Sequence, residues 1–384
     1  MIGDSSRKKE DGVDQGVQNP LGVGIIGTGF GLMHLLGYRA CDNVQIVAVC
    51  QRTPGKAETF AKQYGVPRAF TDYRDLIGHP AVQMVSIAAP PYVHHEMTLA
   101  ALAAGKPVLC EKPFALNTQQ AQEMYARAQA SGLAHAMAFN WRFLPGVSYM
   151  RELVAEGFLG HLYHVNVTWY AERQADPNIP LLWRHRKEVA GFGVLGDIGP
   201  HVIDILRWIL GDFRKVSAHF LTAIPQRKVA SSGEVVAADA DDACAFVAEM
   251  DSGVQVAVHL SRVAHVSNCH RFEFYGSRGM LVYEADPKAG TWITGRLQGA
   301  KAGEKILSEI PIPERLRAGL DSRDLNAAVG SFLFAQLAQR FVDGIRTHQP
   351  VTPSFLEGLR SQEVMDALVQ SAAKEQWMQV TSDT

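Results

Sequence analysis

The sequence predicts an α/β domain followed by an α+β domain, a doubly wound parallel sheet and then a mostly antiparallel, open-faced sheet. Three observations carry this. A glycine cluster, Gly27-Thr28-Gly29-Phe30-Gly31, separates an apolar strand from a helix-compatible stretch. Short, nearly continuous apolar runs then alternate with helical segments, as expected for parallel strands covered on both faces. Beyond residue 140, strand candidates follow one another with few helices between them.

Taken in order, Val23 to Ile26 forms the first strand and Leu32 to Ala40 the first helix. Val44 to Cys50 (VQIVAVC) is the second strand, with a helix over residues 55–64. Val82 to Ala88 (VQMVSIA) is the third, His95 to Ala104 an Ala- and Leu-rich helix, and Pro107 to Cys110 the fourth strand. A helix over residues 118–131 completes a domain spanning 21–139. The second domain, residues 140–384, has strands at His161–Tyr170, Val216–Thr222, Ala243–Met250, Val254–Ser261, Arg271–Tyr275 and Met280–Tyr283. Asp251-Ser252-Gly253 makes a hairpin turn between two of them. Residues 285–320 mix Gly, Pro and Lys irregularly and are expected to be loops, and helices over 322–346 and 354–374 end the chain.

The 384 residues exceed one ordinary core, and 47% apolar with 20% charged residues is globular composition. A formal charge of −2 offers no general attraction to nucleic acid or an anionic membrane. No apolar run reaches the roughly 20 residues needed to cross a bilayer. Residues 1–20 carry basic residues without a hydrophobic segment and read as a disordered tail, not a signal peptide. Five unpatterned cysteines, Cys41, Cys50, Cys110, Cys244 and Cys269, fit reduced thiols in a cytoplasm better than a disulfide framework.

A glycine cluster at a strand-to-helix junction suits a dinucleotide. It lets the backbone approach the pyrophosphate, and the helix N-terminus supplies free N–H donors. The pattern is G-x-G-x-G, because Leu32 occupies the position of the third glycine in G-x-G-x-x-G. Its place at the first βα junction marks a Rossmann-type domain. The second strand ends Cys50-Gln51-Arg52-Thr53, without the carboxylate that would bind an adenosine ribose 2′-OH. Gln51 removes repulsion against a 2′-phosphate and Arg52 offers a fork for it, so NADP is favoured and NAD remains an alternative. A solvated surface role is the other reading of Arg52.

Two later segments are more specific. AAPPYVHHEMTLAALAAGKPVLCEKPFAL contains Glu111-Lys112-Pro113, and GFGVLGDIGPHVIDILRWILG contains Asp197-Ile198-Gly199-Pro200-His201. With the glycine cluster, they make the chain, from about Leu21 to Val380, resemble the glucose–fructose oxidoreductase, inositol dehydrogenase and rhizopine-catabolism (Gfo/Idh/MocA) superfamily. It looks closest to the sugar, levoglucosan and inositol dehydrogenases. Pro91, where many relatives carry Asn, and the imperfect glycine pattern are departures.

The resemblance implies His201 as acid/base, Lys112 assisting and orienting, and Asp197 contacting substrate. It implies cofactor contacts from Gly27, Thr28, Gly29, Phe30, Gly31, Gln51 and Arg52 at one end. At the other it implies Ala89, Pro90, His94, Glu111, Lys112 and the Trp183-Arg184 pair. Asn140 and Arg142, after a strand-like AMAF, are expected to reach substrate hydroxyls. The chemistry agrees: oxidising a secondary alcohol needs a base near neutral pKa and a cation beside the developing alkoxide. Lys112 follows the fourth strand's carboxyl end, where open α/β sheets bind ligands. It precedes Pro113, where a cis bond costs only about 0.5–1 kcal/mol. A surface lysine is the plain alternative for Lys112. Asp197 and His201 are spaced to share a helix face; the plain alternative makes them an N-cap and a packed core residue.

No His, Cys and Asp grouping has metal-ligand spacing, and no metal is expected. The expected substrate is a sugar, anhydrosugar or cyclitol, and the expected assembly a homodimer or homotetramer through the open face of the second sheet. Alternating strands such as Ala243–Met250 and Val254–Ser261 should leave Ala, Val and Phe on that face. An NAD-dependent glycosidase of the same fold and a non-catalytic cofactor-binding sensor are the competing functions. Retention of Lys112, Asp197 and His201 together argues against both.

Overall fold

The computed structural model describes residues 19–380 apart from 322 and 325, so most of the expected N-terminal tail lies outside the described residues. The first sheet contains β1 (Leu21–Ile26), β2 (Val44–Cys50), β3 (Arg68–Phe70), β4 (Met84–Ile87), β5 (Val108–Cys110) and β6 (His135–Met137). All neighbours are parallel and the order is β3-β2-β1-β4-β5-β6. The chain therefore reverses direction across the sheet between β1 and β4, which opens a crevice at their carboxyl ends. β3 escaped the sequence pattern because three residues show no periodicity. The helices of this layer are α1 (Gly31–Arg39), α2 (Lys56–Tyr64), α3 (Tyr73–Gly78), α4 (His94–Ala103) and α5 (Thr118–Ser131). Asn117 caps α5 through a side-chain bond to the Gln120 N–H, and Gly132 ends it in the left-handed region.

A short turn, Asn140–Phe143, leads to α6 (Pro145–Ala155) and the second sheet. Its strands are β7 (Leu162–Tyr170), β8 (Phe213–Leu221), and then, after a separate hairpin of β9 (Gln226–Lys228) and β10 (Val235–Ala237), β11 (Ala243–Met250) and β12 (Gln255–Ser261). β13 (His270–Gly276), β14 (Gly279–Ala285), β15 (Arg296–Lys301) and β16 (Ser308–Glu309) extend one side. β17 (Met378–Gln379) closes the other. Pairing is antiparallel except between β7 and β12, which run parallel at the centre, so the sheet is mixed. β15 and β16 correct the expectation of loops over 285–320. Leu297 and Gly299 of β15 are buried against β14 and Phe158, although the segment's Gly and Lys content hides the alternation.

One face of this sheet buries Val165, Val167, Trp169, Phe246, Val258, Leu260, Phe272 and Phe274. Phe246 therefore belongs to the core and not to the open face. That face carries Asn166, Thr168, Ser217, His219, Ala245, Val247, Ala257 and His259 on adjacent strands.

Between β7 and β8 lie α7 (Lys187–Ala190), α8 (Val194–Asp197) and α9 (Gly199–Leu210). Residues 327–334 form a π-helix running into α10 (Ala335–Thr347), followed by α11 (Phe355–Lys374). These helices return to the first domain. A Cβ on Gly37 of α1 would lie 2.5 Å from the Phe334 ring, and one on Gly358 would lie 2.8 Å from the Met137 sulfur. Among the described residues no single helix is long and apolar enough to cross a membrane. All five cysteines are free, and burial raises the Cys50 thiol to about 12.

Candidate active site

The glycine cluster sits where β1 ends. Gly27 has φ +103°, and a Cβ there would lie 2.3 Å from the Ala88 carbonyl oxygen, so only glycine lets the ends of β1 and β4 approach. A Cβ on Gly29 would meet nothing within 4 Å. α1 begins at Gly31, with Phe30 at the N-cap position, no side-chain cap and no acidic residue in its first turn. Open space before an uncapped helix N-terminus is what a pyrophosphate needs. These residues fit a dinucleotide. Phe30 is half exposed beside the cleft, Gln51 donates its backbone N–H to Phe70 at 3.0 Å, and Arg52 is exposed just past β2.

The next two strands bring the remaining groups together. His94 is fully buried, its ring nitrogens 2.8 Å from the Ala89 carbonyl and 2.9 Å from that of Pro113. It ties the ends of β4 and β5 from behind instead of lining the cleft. Glu111 is also buried. Its Oε1 lies 3.1 Å from His34 Nε2, and its Oε2 accepts the Lys112 N–H at 3.0 Å. His34 in turn meets Ser86 at 2.8 Å, so Glu111 supports Lys112 from below. The Lys112–Pro113 peptide is cis.

Lys112 Nζ donates to the Asp197 carbonyl at 2.7 Å and to its Oδ1 at 3.4 Å, while Arg173 donates to Oδ2. Asp197 therefore binds cations and not His201, and it caps no helix. The Asp241 carboxylate caps α8 instead, accepting from the Gly193 and Leu195 N–H groups at 2.7 and 2.8 Å. Burial alone would raise the Asp197 carboxyl, but Lys112, Arg173 and Arg184 outweigh it and hold it well below the usual carboxylate range. Burial, and then the Lys112 cation, push His201 well below its ordinary value, so the ring is neutral at neutral pH. Its Nδ1 is buried without a hydrogen-bond partner among the described residues.

Asn140 and Arg142 part company. The Asn140 Nδ2 is buried and has no partner among the described residues, whereas Arg142 donates two bonds to Asp204, at 2.7 and 2.6 Å, with both side chains buried. Arg142 thus locks the interdomain turn to α9 and is not free for a substrate hydroxyl. Trp183 is 41% exposed at the mouth, with the Arg184 guanidinium 5.1 Å from its ring centre.

Sequence reasoning missed Arg173 and an aromatic wall. Trp141 lies 5.7 Å from His201 and 5.7 Å from Trp292, with Trp169 4.9 Å away. Only Trp141, inside the NWRF segment after AMAF, carried a sequence signal. Among the described residues no group of His, Cys, Asp and Glu could hold a metal ion.

Known proteins share the family and the fold. The model of the oxidoreductase family with an NAD-binding Rossmann fold (GFO_IDH_MocA) matches residues 21–139, and that of the GFO/IDH/MocA C-terminal domain matches 147–282. Levoglucosan dehydrogenase of Pseudarthrobacter phenanthrenivorans is 31% identical over 94% of this chain and 98% of its own length. D-glucoside 3-dehydrogenase of Escherichia coli is 34% identical over 55% of this chain and 60% of its own. A solved levoglucosan dehydrogenase in complex with NADH and L-sorbose superposes with a TM-score of 0.85 at 30% identity, covering 95% of this chain and all of that one. The chain belongs to the GFO/IDH/MocA family of oxidoreductases.

Proposed function

We propose that this protein is a nicotinamide-dependent dehydrogenase that interconverts a secondary alcohol and a ketone on a sugar, anhydrosugar or cyclitol. The observation that carries it is the Lys112–Asp197 pair, with a neutral His201 beside it, at the carboxyl ends of a parallel sheet. A bound nicotinamide supplies the hydride acceptor. His201 takes the hydroxyl proton, and Lys112 directs an ammonium N–H to the oxygen as negative charge develops there. Asp197 holds that ammonium by two contacts, and Asn140 keeps a free N–H for another hydroxyl. The names of the relatives, levoglucosan and glucoside dehydrogenases, support the substrate class. The test is a panel of inositols, aldoses, anhydrosugars and sugar acids with NAD and NADP, followed by absorbance of the reduced nicotinamide. Net cofactor reduction is expected. Hydrolysis of a chromogenic glycoside without net reduction would identify a glycosidase instead, and cofactor binding with no turnover a sensor.

The proposed cofactor is NADP. The solved relative carries NADH, so this preference rests on Gln51 and Arg52 alone. A guanidinium on the 2′-phosphate contributes about 1.5–3 kcal/mol, or roughly 10- to 150-fold in affinity. Fluorescence titration with NADPH and NADH should show that preference in the parent and its loss in Arg52→Ala. Tighter NADH binding, or an unchanged ratio, rejects it.

A homodimer or homotetramer through the open face of the second sheet completes the reading. The face exposes Val247, 44% accessible, among Ala245, Ala257 and small polar residues, a large surface for a monomer to leave in water. Light scattering at micromolar concentration should report a multiple of the chain mass. A monomer would exclude this assembly.

A further inference from the structure

The charges around Asp197 do not balance. Lys112 and Arg173 already hold its carboxylate. Arg184 adds a third cation, and its guanidinium makes no hydrogen bond or ion pair among the described residues, resting on Trp183 instead. Arg262 lies behind, but it is neutralised by Asp242 at 3.0 Å, with both side chains buried. His201 adds no charge at neutral pH. Three cations thus surround one carboxylate at the mouth of the site.

The Arg173 side chain is 54% exposed, but the loop that carries both arginines is held in place. The loop carrying Arg173 and Arg184 is clamped by Arg227, itself 2% exposed. Arg227 donates to the carbonyls of Gln174 at 2.8 Å, Asp176 at 3.1 Å and Ile179 at 3.2 Å. His185 lies 2.7 Å from the Gln174 side chain and secures the other end. Arg184 is half-buried, and burial together with Arg173 and Arg262 lowers its pKa despite the attraction of Asp197. A cation held under those conditions costs stability unless a ligand offsets it.

We propose that the substrate is an acidic sugar, a uronate or aldonate whose carboxylate is received by Arg173 and Arg184. The choice of a carboxylate follows from the count. The Lys112 charge is committed to the alkoxide that forms at the reacting carbon, and Asp197 cancels one of the two arginines. One positive charge remains, the complement of a monoanionic carboxylate and not of a dianionic phosphate ester. Guanidinium forks match the two carboxylate oxygens in geometry as well. The inference rests on the dehydrogenase reading above and assigns Arg184 to the substrate instead of the cofactor.

The test uses the full chain with its cofactor and a panel of sugar acids, each beside its methyl ester and its 6-phosphate counterpart. Binding is read by tryptophan fluorescence and turnover separately by cofactor reduction. The best acid should bind at least about tenfold tighter than its ester, equivalent to about 1.4 kcal/mol. The advantage should shrink as salt is raised. In Arg173→Gln and in Arg184→Gln the acid-to-ester ratio should collapse toward unity. Equal affinity for acid and ester, a preference for the phosphate, or a ratio untouched by both substitutions would overturn the proposal. Acid binding without turnover would sink the dehydrogenase reading and the acid's role as substrate, while an acid-to-ester ratio that collapses in both variants would still place a carboxylate site at Arg173 and Arg184. Esters turned over as readily as acids would keep the dehydrogenase reading and reject the acidic substrate.

Discussion

Lys112→Met and His201→Ala should each lower turnover about 100-fold or more, while dinucleotide affinity and the unfolding midpoint stay close to the parent. Positioned proton transfer contributes about 10²–10⁴-fold, and the neutral His201 is the proposed base. Lys112 stands between two demands: its Nζ bonds Asp197 twice, and in the proposed reaction the same ammonium meets the developing alkoxide. The pH profile separates this role from a structural one. Alcohol oxidation should hold down to well below pH 6.5, because burial and then the Lys112 cation disfavour the imidazolium. Removing Lys112 removes one of those two opponents, so the imidazolium forms more readily. The acid limb of the residual activity should therefore move to higher pH in Lys112→Met. Near-parental turnover in either variant would sink the assignment, and a limb that stays in place would remove Lys112 from the surroundings of His201.

Much of this arrangement is legible in the chain alone. Strand and helix periodicity follow from burial on one or both faces. Elements of both domains could therefore be read nearly to the residue, Thr118–Ser131 in the first and Ala243–Met250 in the second. Glu111-Lys112-Pro113 and Asp197 to His201 are local spacings, and the fold brings them to one cleft. What stayed hidden was pairing over distance. Nothing near Arg142 shows that its partner is Asp204, 62 residues on, so a residue expected at the substrate turned out to be a bolt. Arg173 lies in an unremarkable loop and matters only because that loop crosses Asp197. Phe246 alternates correctly along its strand, but alternation alone does not say which face another layer will cover.

That bolt carries the second large expectation. Arg142→Met should destabilise the protein by about 3–5 kcal/mol, the cost of leaving one member of a buried pair uncompensated. The guanidinium makes two bonds to Asp204, and its side chain is 4% exposed against 1% for the carboxylate, so water cannot replace it. Burial opposes the Arg142 charge, but Asp204 outweighs it and raises the guanidinium pKa, while at Asp204 burial outweighs Arg142 and raises the carboxyl. Without Arg142, burial drives the Asp204 carboxyl to hold its proton, so its folded pKa stands above the unfolded value. The penalty should then be small at acidic pH and grow as pH rises between those two values. Denaturant unfolding of the single variant across that range should show the trend. The double variant Arg142→Met with Asp204→Leu should recover most of the loss, since no charge is left buried. The same double variant tests the link to function: Asp204 lies one turn beyond His201 on α9, and Arg142 two residues beyond Asn140. Restored stability with restored turnover would make the pair a fastener only. Restored stability with turnover still depressed would show that this bond also sets the angle at which α9 presents His201. A single variant within about 1 kcal/mol of the parent would mean that the pair closes on itself without holding the two domains together.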